Sequence, residues 1–500
     1  MIDPRARAGT ASVATAAITN LGCKVNQAEM EAAARRLREL GVAVTDGDQP
    51  ADLVLVNTCT VTVEADAKSR QAVRRARRVS PTAEIVVTGC SVQVGRESFV
   101  AADPSARLVD NRAKDALLAE IETLMGESRR PGRADESARP RSRPRPTLAG
   151  PLPTLAGVDP VSSPIDGIAD GRASVERTRA FVKVQDGCSF FCTYCIIPAA
   201  RGPERSLTPE AVLADVRRAI AGGHREIVLT GINVGTYDGG WSERGFRGAH
   251  RRSALTLAGL VRRILADTAV ERLRISSIEP QHLDDELLQV WSDGAPRTLP
   301  HLHLPLQSGD DGVLRRMGRR YRTAEYAAVV ARAREALPGV AVHADAIVGF
   351  PTEDERAWWR SLDFIQSLDF AGLHVFRYSP RPGTAAVRMV GRVDEPTKKR
   401  RAAELLAVAA DARRRWAARH VGAAADVLFE TRLASGSWVG HAADYTLVAA
   451  AAPPEADLAS LEGAIGRVAI DGVDEQVPDR AVGQIVELSV PARREARDVA

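Results

Sequence analysis

The chain has 500 residues, of which 45% are hydrophobic and 26% are charged, and its net charge is +4 at pH 7. This length predicts roughly two to four domains, and the apolar fraction is that of a globular protein able to bury several cores. The net charge is too small to indicate a nucleic-acid partner by itself. The sequence has neither an apolar run of membrane-spanning length nor a secretory signal, so we expect a cytoplasmic protein without a membrane partner.

Strand and helix patterns alternate in the N-terminal segment. Three apolar runs predict buried parallel strands, at 16–21, 53–56 and 85–87. A helical pattern follows each of them, at 27–40, 64–79 and from about residue 92. We therefore predict an open parallel βαβ domain over residues 12–125.

Residues 126–178 differ in composition from the segments on either side. They are rich in Arg and Pro, and the motif Pro-Thr-Leu-Ala-Gly occurs twice. Because such a segment buries too little apolar surface to offset the entropy lost on ordering, we predict a disordered linker.

The alternation resumes on a longer scale from residue 179. Six strand-like runs are separated by helical patterns, and these runs lie at 181–185, 226–232, 272–278, 301–306, 340–350 and 372–378. Six βα units in succession predict an α/β domain built as a parallel (βα)6 partial barrel over 179–420. Functional residues are expected at the C-terminal ends of its strands.

The last predicted helix of this domain, at 395–420, carries eight Lys or Arg residues against three acidic ones. This excess could contact the phosphates of an RNA, and a solvated helix face is the alternative interpretation. Short alternating segments follow and predict a small all-β barrel over 421–492. Since residues 421–490 contain eleven acidic residues and three arginines, we expect the helix, rather than this barrel, to supply electrostatic affinity for RNA.

Three of the six cysteines lie in one loop. Cys188, Cys192 and Cys195 form a CxxxCxxC motif directly after the predicted strand at 181–185. A 4Fe-4S cluster needs four ligands, so three thiolates without a fourth Cys or His nearby leave one iron open to a small molecule. Zinc is the alternative, but it prefers four N or S ligands, and a CxxC redox pair leaves Cys188 without a role.

The other three cysteines each follow a predicted strand of the N-terminal domain, at Cys23, Cys59 and Cys90. The C-terminal ends of parallel strands share one edge of a sheet, where ligands bind, so three thiolates could converge there. Three unrelated buried cysteines are the alternative. We predict a second cluster with an open iron.

These motifs together resemble a known family of enzymes. The CxxxCxxC loop after the first barrel strand resembles the radical S-adenosylmethionine (radical-SAM) superfamily. Two trios of cysteines in this order, followed by a β barrel similar to a TRAM domain, resemble its methylthiotransferases. The resemblance covers most of the chain and includes LGCKVNQ (21–27), NTCTVT (57–62), TGC (88–90), HLPLQSGDD (303–311) and IVGFPTE (347–353).

The resemblance implies two 4Fe-4S clusters and S-adenosylmethionine as cofactors. The open iron at the CxxxCxxC loop would bind the methionine moiety of S-adenosylmethionine, which is cleaved to a 5′-deoxyadenosyl radical, and the other cluster would carry sulfur. Tyr194 would pack near the adenine of the cofactor. Gly349 and Glu353 lie in a turn that resembles the one running along that adenine.

Further residues at strand ends are weaker candidates for this site. Ser276, Ser277 and Glu279 follow the third barrel strand, on the rim that faces the cofactor. Lining or structural roles are open for His303, Gln307 and Asp345. Two arginines after the last strand, Arg377 and Arg381, could meet an anionic group of the substrate.

The motif Lys24-Val25-Asn26 most resembles the branch that acts on threonylcarbamoyladenosine in tRNA, next to the anticodon. The implied reaction adds a methylthio group to carbon 2 of that adenine. The implied partners are tRNA, an electron donor of the flavodoxin or ferredoxin type and a sulfur donor. The alternatives are methylthiolation of isopentenyladenosine or of a ribosomal-protein aspartate, and a non-catalytic RNA-binding metal protein.

Overall fold

The computed structural model describes residues 15–47, 49–111, 117, 121, 178–240, 255–451 and 461–489. The predicted linker at 126–178 lies outside the described residues, except for its last position. Within the described ranges, no helix is long and apolar enough to cross a membrane.

The N-terminal domain is a five-stranded parallel sheet with helices on both faces. Its strands are β1 (Thr15–Asn20), β2 (Ala43–Asp46), β3 (Leu53–Thr58), β4 (Glu84–Gly89) and β5 (Arg107–Val109). The order across the sheet is β2-β1-β3-β4-β5, and each neighbouring pair is parallel. The central strand β3 is buried along its whole length because separate apolar clusters cover its two faces. The open parallel α/β domain is as predicted, although β2 and β5 were not predicted.

Three helices connect these strands: α1 (Lys24–Glu39), α2 (Val63–Val79) and α3 (Cys90–Ala102). Helix α1 begins three residues before the predicted start, so Cys23 becomes its N-cap. Helix α3 begins at Cys90 itself. Two cysteines of the N-terminal trio therefore lie at helix N-termini, where the backbone N–H groups favour a negative charge.

The central domain contains a partial barrel of parallel strands. The barrel strands are β6 (Arg179–Lys183), β9 (Glu226–Thr230), β10 (Arg272–Ile275), β11 (His301–His303), β12 (Ala341–Val348) and β13 (Gly372–Arg377). Two short strands, β7 (Gln185–Asp186) and β8 (Arg205–Ser206), form a separate antiparallel pair. The two sheets of the barrel, β6-β9-β10 and β11-β12-β13, meet at a parallel bridge between Ser277 and His303. The predicted (βα)6 partial barrel is confirmed.

Helices connect the strands of this domain, and the longer ones pack around the outside of the barrel. They are α4 (Ile197–Arg201), α5 (Pro209–Ala221), α6 (Leu257–Asp267), α7 (Asp285–Asp293), α8 (Asp311–Met317), α9 (Thr323–Ala336), α10 (Glu355–Ser367) and α11 (Glu395–Ala418). Strand residues alternate between the helices and the barrel interior. In β12, for example, Val342 and Ala344 belong to the core beneath the helices, whereas His343 and Asp345 lie on the opposite face.

The C-terminal domain is a small closed β barrel, as predicted. Its strands are β14 (Ala424–Arg432), β15 (Trp438–Ala442), β16 (Leu447–Ala451), β17 (Ile465–Val473) and β18 (Arg480–Ser489), in the order β14-β15-β16-β18-β17. Tyr445 extends from this domain to the N-terminal ends of the central strands. Its ring stacks on His301 with 4.6 Å between ring centroids, and its hydroxyl accepts a hydrogen bond from Arg179 at 2.5 Å. The β barrel is thereby held at the end of the central barrel opposite the cysteine loop.

Candidate active site

The loop of Cys188, Cys192 and Cys195 is fixed by the backbone around it. The Cys188 N–H donates to the Gly202 carbonyl at 3.1 Å, and Cys195 N–H donates to the Cys192 carbonyl at 2.9 Å. Gly187, which begins the loop, has a φ of 70°, and an added Cβ would lie 1.9 Å from the Pro203 carbonyl oxygen. Only glycine therefore fits this turn.

Burial governs the protonation of the Cys188 and Cys195 thiols. Desolvation raises the pKa of Cys188 to about 11 and that of Cys195 to about 12, and the neighbouring thiols add to the effect. Such cysteines are poor nucleophiles at neutral pH, because the reactive form is the thiolate. A bound metal centre deprotonates its thiol ligands, so the loop suits metal ligation better than redox or nucleophilic chemistry.

A buried arginine that the sequence analysis missed lies against this loop. One terminal nitrogen of Arg319, Nη1, is 3.6 Å from the Cys192 sulfur, and Nη2 pairs with Glu279. Ser276 lies near the same rim, and its hydroxyl is buried without a hydrogen-bond partner among the described residues. An unpartnered buried hydroxyl is costly unless something else satisfies it, which marks a place for a polar ligand.

Tyr194 and the turn at 347–353 lie together. The Tyr194 ring meets Phe350 edge to face, with 6.5 Å between centroids. Gly349 has a φ of 74°, and an added Cβ would lie 2.3 Å from Cγ of Lys398. The Gly349 N–H donates to the Glu353 carboxylate at 2.5 Å. In this structure Lys398 is thus the close neighbour that requires glycine at position 349. Glu353 stabilises the turn by accepting the hydrogen bond from the Gly349 N–H.

The structure brings Cys23, Cys59 and Cys90 to one edge of the N-terminal sheet. They follow β1, β3 and β4, which are adjacent strands. An added Cβ on Gly22 would lie 3.1 Å from the Cys59 Cβ, which shows how closely the first two loops approach. The pKa of Cys59 is raised to about 12 by burial and, in addition, by the charges of Cys90 and Cys23. The three thiols therefore share one electrostatic environment.

Two asparagine side chains hold the cysteine loops of this trio. Asn26 donates to the Leu21 carbonyl at 2.9 Å and to the Thr58 carbonyl at 3.1 Å, which ties the segments before Cys23 and Cys59 together. Asn111 donates to the Cys90 sulfur at 3.3 Å. Both amides are buried, so these contacts are shielded from water.

The same two asparagines connect the N-terminal trio to the central domain. Asn111 also donates to the Ala200 carbonyl at 3.2 Å, and Asn26 accepts from Arg201 at 2.5 Å. Arg201 is almost fully buried and pairs with Glu29 of α1 at 3.0 Å and with Asp186 of β7 at 2.9 Å. Since Arg201 lies six positions after Cys195 in the sequence, this short segment links the two cysteine trios.

Arg381 forms contacts between domains that the sequence analysis did not predict. It is buried, donates to Thr60 at 2.5 Å and pairs with Asp66, both in the N-terminal domain. Arg377 lies 3.6 Å from Glu64 of α2. These arginines join the two domains, and the hypothesis that they meet an anionic group of the substrate stays a prediction.

The cations of the basic helix α11 have intramolecular partners that the sequence analysis did not predict. Lys398 and Arg401 are buried, and Arg401 pairs with Glu353 at 2.9 Å and with Glu355 at 2.8 Å. Most of the other cations of this helix form intramolecular ion pairs as well: Arg400 with Glu355 and Glu404, Arg413 with Asp479, Arg414 and Arg415 with Asp411, and Arg419 with Asp369. The predicted positive surface is therefore largely neutralised within the chain.

Replacement of Arg401 by glutamine is expected to destabilise the fold by about 3–5 kcal/mol, because it leaves the buried Glu353 carboxylate without its cation. Burial already raises the pKa of Glu353 from 4.5 to about 7. A folded state with a raised carboxyl pKa binds a proton that the unfolded state releases, so stability falls as the pH rises through 4.5 to 7. We expect the loss in R401Q to be larger at pH 8 than at pH 6.

Denaturant unfolding at the two pH values measures this effect. Lys399→Gln is the matched control, since Lys399 is exposed on the same helix, and it is expected to change stability by less than about 0.5 kcal/mol. Equal stability losses for R401Q and K399Q would contradict the burial argument.

Comparisons with known proteins show which sequences this chain resembles. The model of an uncharacterized protein family, UPF0004, matches residues 15–110, and that of the radical SAM superfamily matches 182–365. The chain is 36% identical to threonylcarbamoyladenosine tRNA methylthiotransferase MtaB of Bacillus subtilis (strain 168), over 87% of this chain and 90% of that protein. It is 32% identical to the protein of the same name from Thermotoga maritima, over 85% and 89% of the two chains. It is also 32% identical to tRNA-2-methylthio-N(6)-dimethylallyladenosine synthase of Anaplasma marginale (strain St. Maries), over 77% of each chain.

Proposed function

Because this chain belongs to the radical-SAM methylthiotransferase family, we propose that it adds a methylthio group to carbon 2 of N6-threonylcarbamoyladenosine in tRNA, next to the anticodon. The observation that carries the proposal is the 36% identity to a protein named for that reaction, over nearly the full length of both chains. A relative named for the dimethylallyladenosine reaction is 32% identical over a smaller share of the chain. The latter substrate is the second candidate.

The donor sets fit the cofactors that this family uses, two 4Fe-4S clusters and S-adenosylmethionine. Each site offers three thiols, which leaves one iron of a cluster open. We assign one cluster to Cys188, Cys192 and Cys195 and the other to the N-terminal trio. When bound, these cofactors supply the radical that activates carbon 2 and the sulfur that is transferred.

We propose that the residues around the CxxxCxxC loop bind and orient S-adenosylmethionine. Arg319 lies beside Cys192 and pairs with Glu279, so a cationic group and a carboxylate flank the loop. These are suitable partners for the carboxylate and the amino group of a bound methionine moiety. The Ser276 hydroxyl, which has no hydrogen-bond partner within the described ranges, offers a further hydrogen bond on the same rim. Tyr194, Gly349 and Glu353 remain proposed cofactor contacts.

The chain also controls how the two trios face one another. Asn26 and Arg201 join the edge of the N-terminal sheet to the segment that follows the CxxxCxxC loop. Because a displacement of about 1 Å between reacting groups can cost roughly 100-fold in rate, we expect the transfer to depend on this buried junction. The electron donor, the sulfur donor and a cytoplasmic location are part of the same proposal.

Helix α2 is the surface that we propose for tRNA phosphates. It carries six basic residues against two acidic ones, and Lys68, Arg74 and Arg78 are exposed. The helix begins four positions after Cys59, and the Val63 N–H at its start donates to Ser379 of the central domain at 3.2 Å. The basic surface thus starts at the junction that holds the site.

The double variant R74Q/R78Q is expected to weaken tRNA binding and to lower the slope of log affinity against log salt by roughly two, since each lost phosphate contact removes about one from that slope. Filter binding or anisotropy at several salt concentrations measures it. The matched control is K399Q/R414Q on α11, which removes two cations from a helix whose charges are largely paired within the chain. An unchanged slope in R74Q/R78Q would contradict the assignment.

Analysis of tRNA nucleosides tests the function itself. In a strain deleted for this protein, mass spectrometry should show threonylcarbamoyladenosine without its methylthio form, and the intact chain should restore that form. Loss of the methylthio form of dimethylallyladenosine instead would favour the second candidate. Reductant-dependent release of 5′-deoxyadenosine by the anaerobically reconstituted protein separates an enzyme from a metal-containing RNA-binding protein.

A further inference from the structure

Three side chains with metal-binding atoms converge inside the central barrel, apart from the cysteines. They are His303 of β11, Asp345 of β12 and His374 of β13, and their three nearest ligand atoms all lie within 4.8 Å of one another. The His303 Nε2 atom lies 2.8 Å from Oδ1 of Asp345, and the His374 Nδ1 atom lies 2.9 Å from the same oxygen. Two imidazoles therefore share one carboxylate oxygen.

Strand geometry fixes this arrangement. Asp345 and His374 are direct partners in the β12–β13 register, and His303 pairs with His343 in the β11–β12 register, two residues before Asp345. The residues that directly precede them on the same strands pack beneath the outer helices; these are Leu302, Ala344 and Leu373. Because side chains alternate along a strand, the three polar groups are held on the inner face by three neighbouring strands. Sites on strands are more rigid than sites on loops.

A carboxylate in this cluster suits a cation. One oxygen of Asp345 lies between two imidazole nitrogens, at 2.8 Å from His303 and 2.9 Å from His374. The side chains of Asp345 and His374 keep 17% and 18% of their exposure, whereas His303 keeps 8%. The cluster thus has an accessible side towards the barrel interior, where a further ligand could bind.

A second residue orients one of the imidazoles. The Nδ1 atom of His303 lies 3.1 Å from the Ser277 hydroxyl, on the side of the ring away from Asp345. Metal-binding histidines usually donate their other N–H to such an oxygen, which fixes the ring and the tautomer. The serine hydroxyl can accept or donate, so it accommodates either tautomer of His303.

We propose that His303, Asp345 and His374 bind one divalent ion of the Zn²⁺ or Fe²⁺ class, separate from both cysteine trios. Two imidazoles and one carboxylate are the donors these ions take, with the remaining positions left to oxygen ligands such as water. Ligand atoms at about 2.0–2.1 Å from a tetrahedral ion are roughly 3.3 Å apart, so the two nitrogen–oxygen separations need to widen by only about half an ångström. The two imidazole nitrogens, which lie within 4.8 Å of one another, need to adopt the same spacing.

Binding requires no net release of protons from neutral imidazoles. The nitrogen of each ring that now faces Asp345 would turn its lone pair to the ion, and the ring proton would move to the other nitrogen. For His303 that proton is then donated to Ser277. The site is independent of the proposed substrate, because it depends only on these residues.

Metal analysis of the reconstituted protein tests the proposal. The anaerobic holoenzyme is incubated with Zn²⁺, passed over a chelating resin and analysed for zinc and iron together. We expect about one zinc per chain in addition to an unchanged iron content, and loss of that zinc in both D345N and H374Q. The matched control is H420Q, because His420 also lies 2.7 Å from a carboxylate, Asp444, but in the β barrel.

Three results of the zinc analysis would overturn the proposed site. Zinc that persists in D345N and H374Q, or zinc taken up as iron is lost, would show binding elsewhere and overturn the proposal. No retained zinc in the unmodified holoenzyme would identify the cluster as a hydrogen-bond network only. If D345N fails to fold, H374Q carries the test, and Co²⁺ provides a second readout: its visible absorption should appear in the unmodified protein and in H420Q but not in H374Q.

Discussion

Replacement of Cys188, Cys192 and Cys195 together by alanine is expected to lower the iron content from about eight to about four atoms per chain and to abolish release of 5′-deoxyadenosine. The physical reason is that alanine supplies no ligand, and a cluster held by three thiolates has no other attachment to this loop. Iron analysis after anaerobic reconstitution and chromatography of the products measure both effects. Methylthiolation of tRNA should be lost with them.

The complementary triple variant of Cys23, Cys59 and Cys90 is the matched control. It is expected to retain about four irons and the reductant-dependent release of 5′-deoxyadenosine, but to form no methylthio product. Both triple variants are thus expected to contain the same amount of iron but to lose different activities. If the N-terminal triple variant also failed to cleave S-adenosylmethionine while the central domain kept its four irons, the two trios would not have the separate roles assigned to them.

The convergence of Cys23, Cys59 and Cys90 follows from local patterns. Each residue comes directly after an apolar run short enough to be a strand, and parallel strands end on one edge of a sheet. The order β2-β1-β3-β4-β5 places the three relevant strands side by side. Both barrels were likewise predictable, because their repeating βα units and short alternating strands leave strong periodic signals.

The partners of charged residues were not predictable. Arg319 is 127 positions from Cys192, and Arg201 is 172 positions from Glu29, so no local pattern connects them. The basic run in α11 illustrates the same limit, since its net charge is visible in the sequence but the carboxylates that neutralise it come from distant segments. A charge count describes a surface only when its intramolecular partners are known.

Arg201→Gln is expected to separate cleavage of S-adenosylmethionine from transfer to the substrate. The glutamine cannot replace the buried ion pairs that the Arg201 guanidinium forms with Glu29 and Asp186. It also lacks the second terminal nitrogen, which donates to Asn26. The N-terminal trio should then shift relative to the central loop, and formation of the methylthio product should fall by about 100-fold. Release of 5′-deoxyadenosine should change little, because no cysteine of the central loop is altered. The ratio of the two products, measured in one reaction, reports the effect.

Arg205→Gln is the matched control, since Arg205 pairs with the same Asp186 at 3.4 Å and its loss should leave the ratio near that of the unmodified enzyme. Arg201→Lys separates the effect of the positive charge from that of the guanidinium geometry. Lysine keeps the positive charge but is a single point donor, so a partial recovery of product would assign part of the effect to charge and the rest to the forked geometry. A parallel fall of both products in R201Q, at full iron content, would show instead that Arg201 supports the central loop itself. The position of the N-terminal trio would then have to depend on Asn111, Arg381 and the remaining junction contacts.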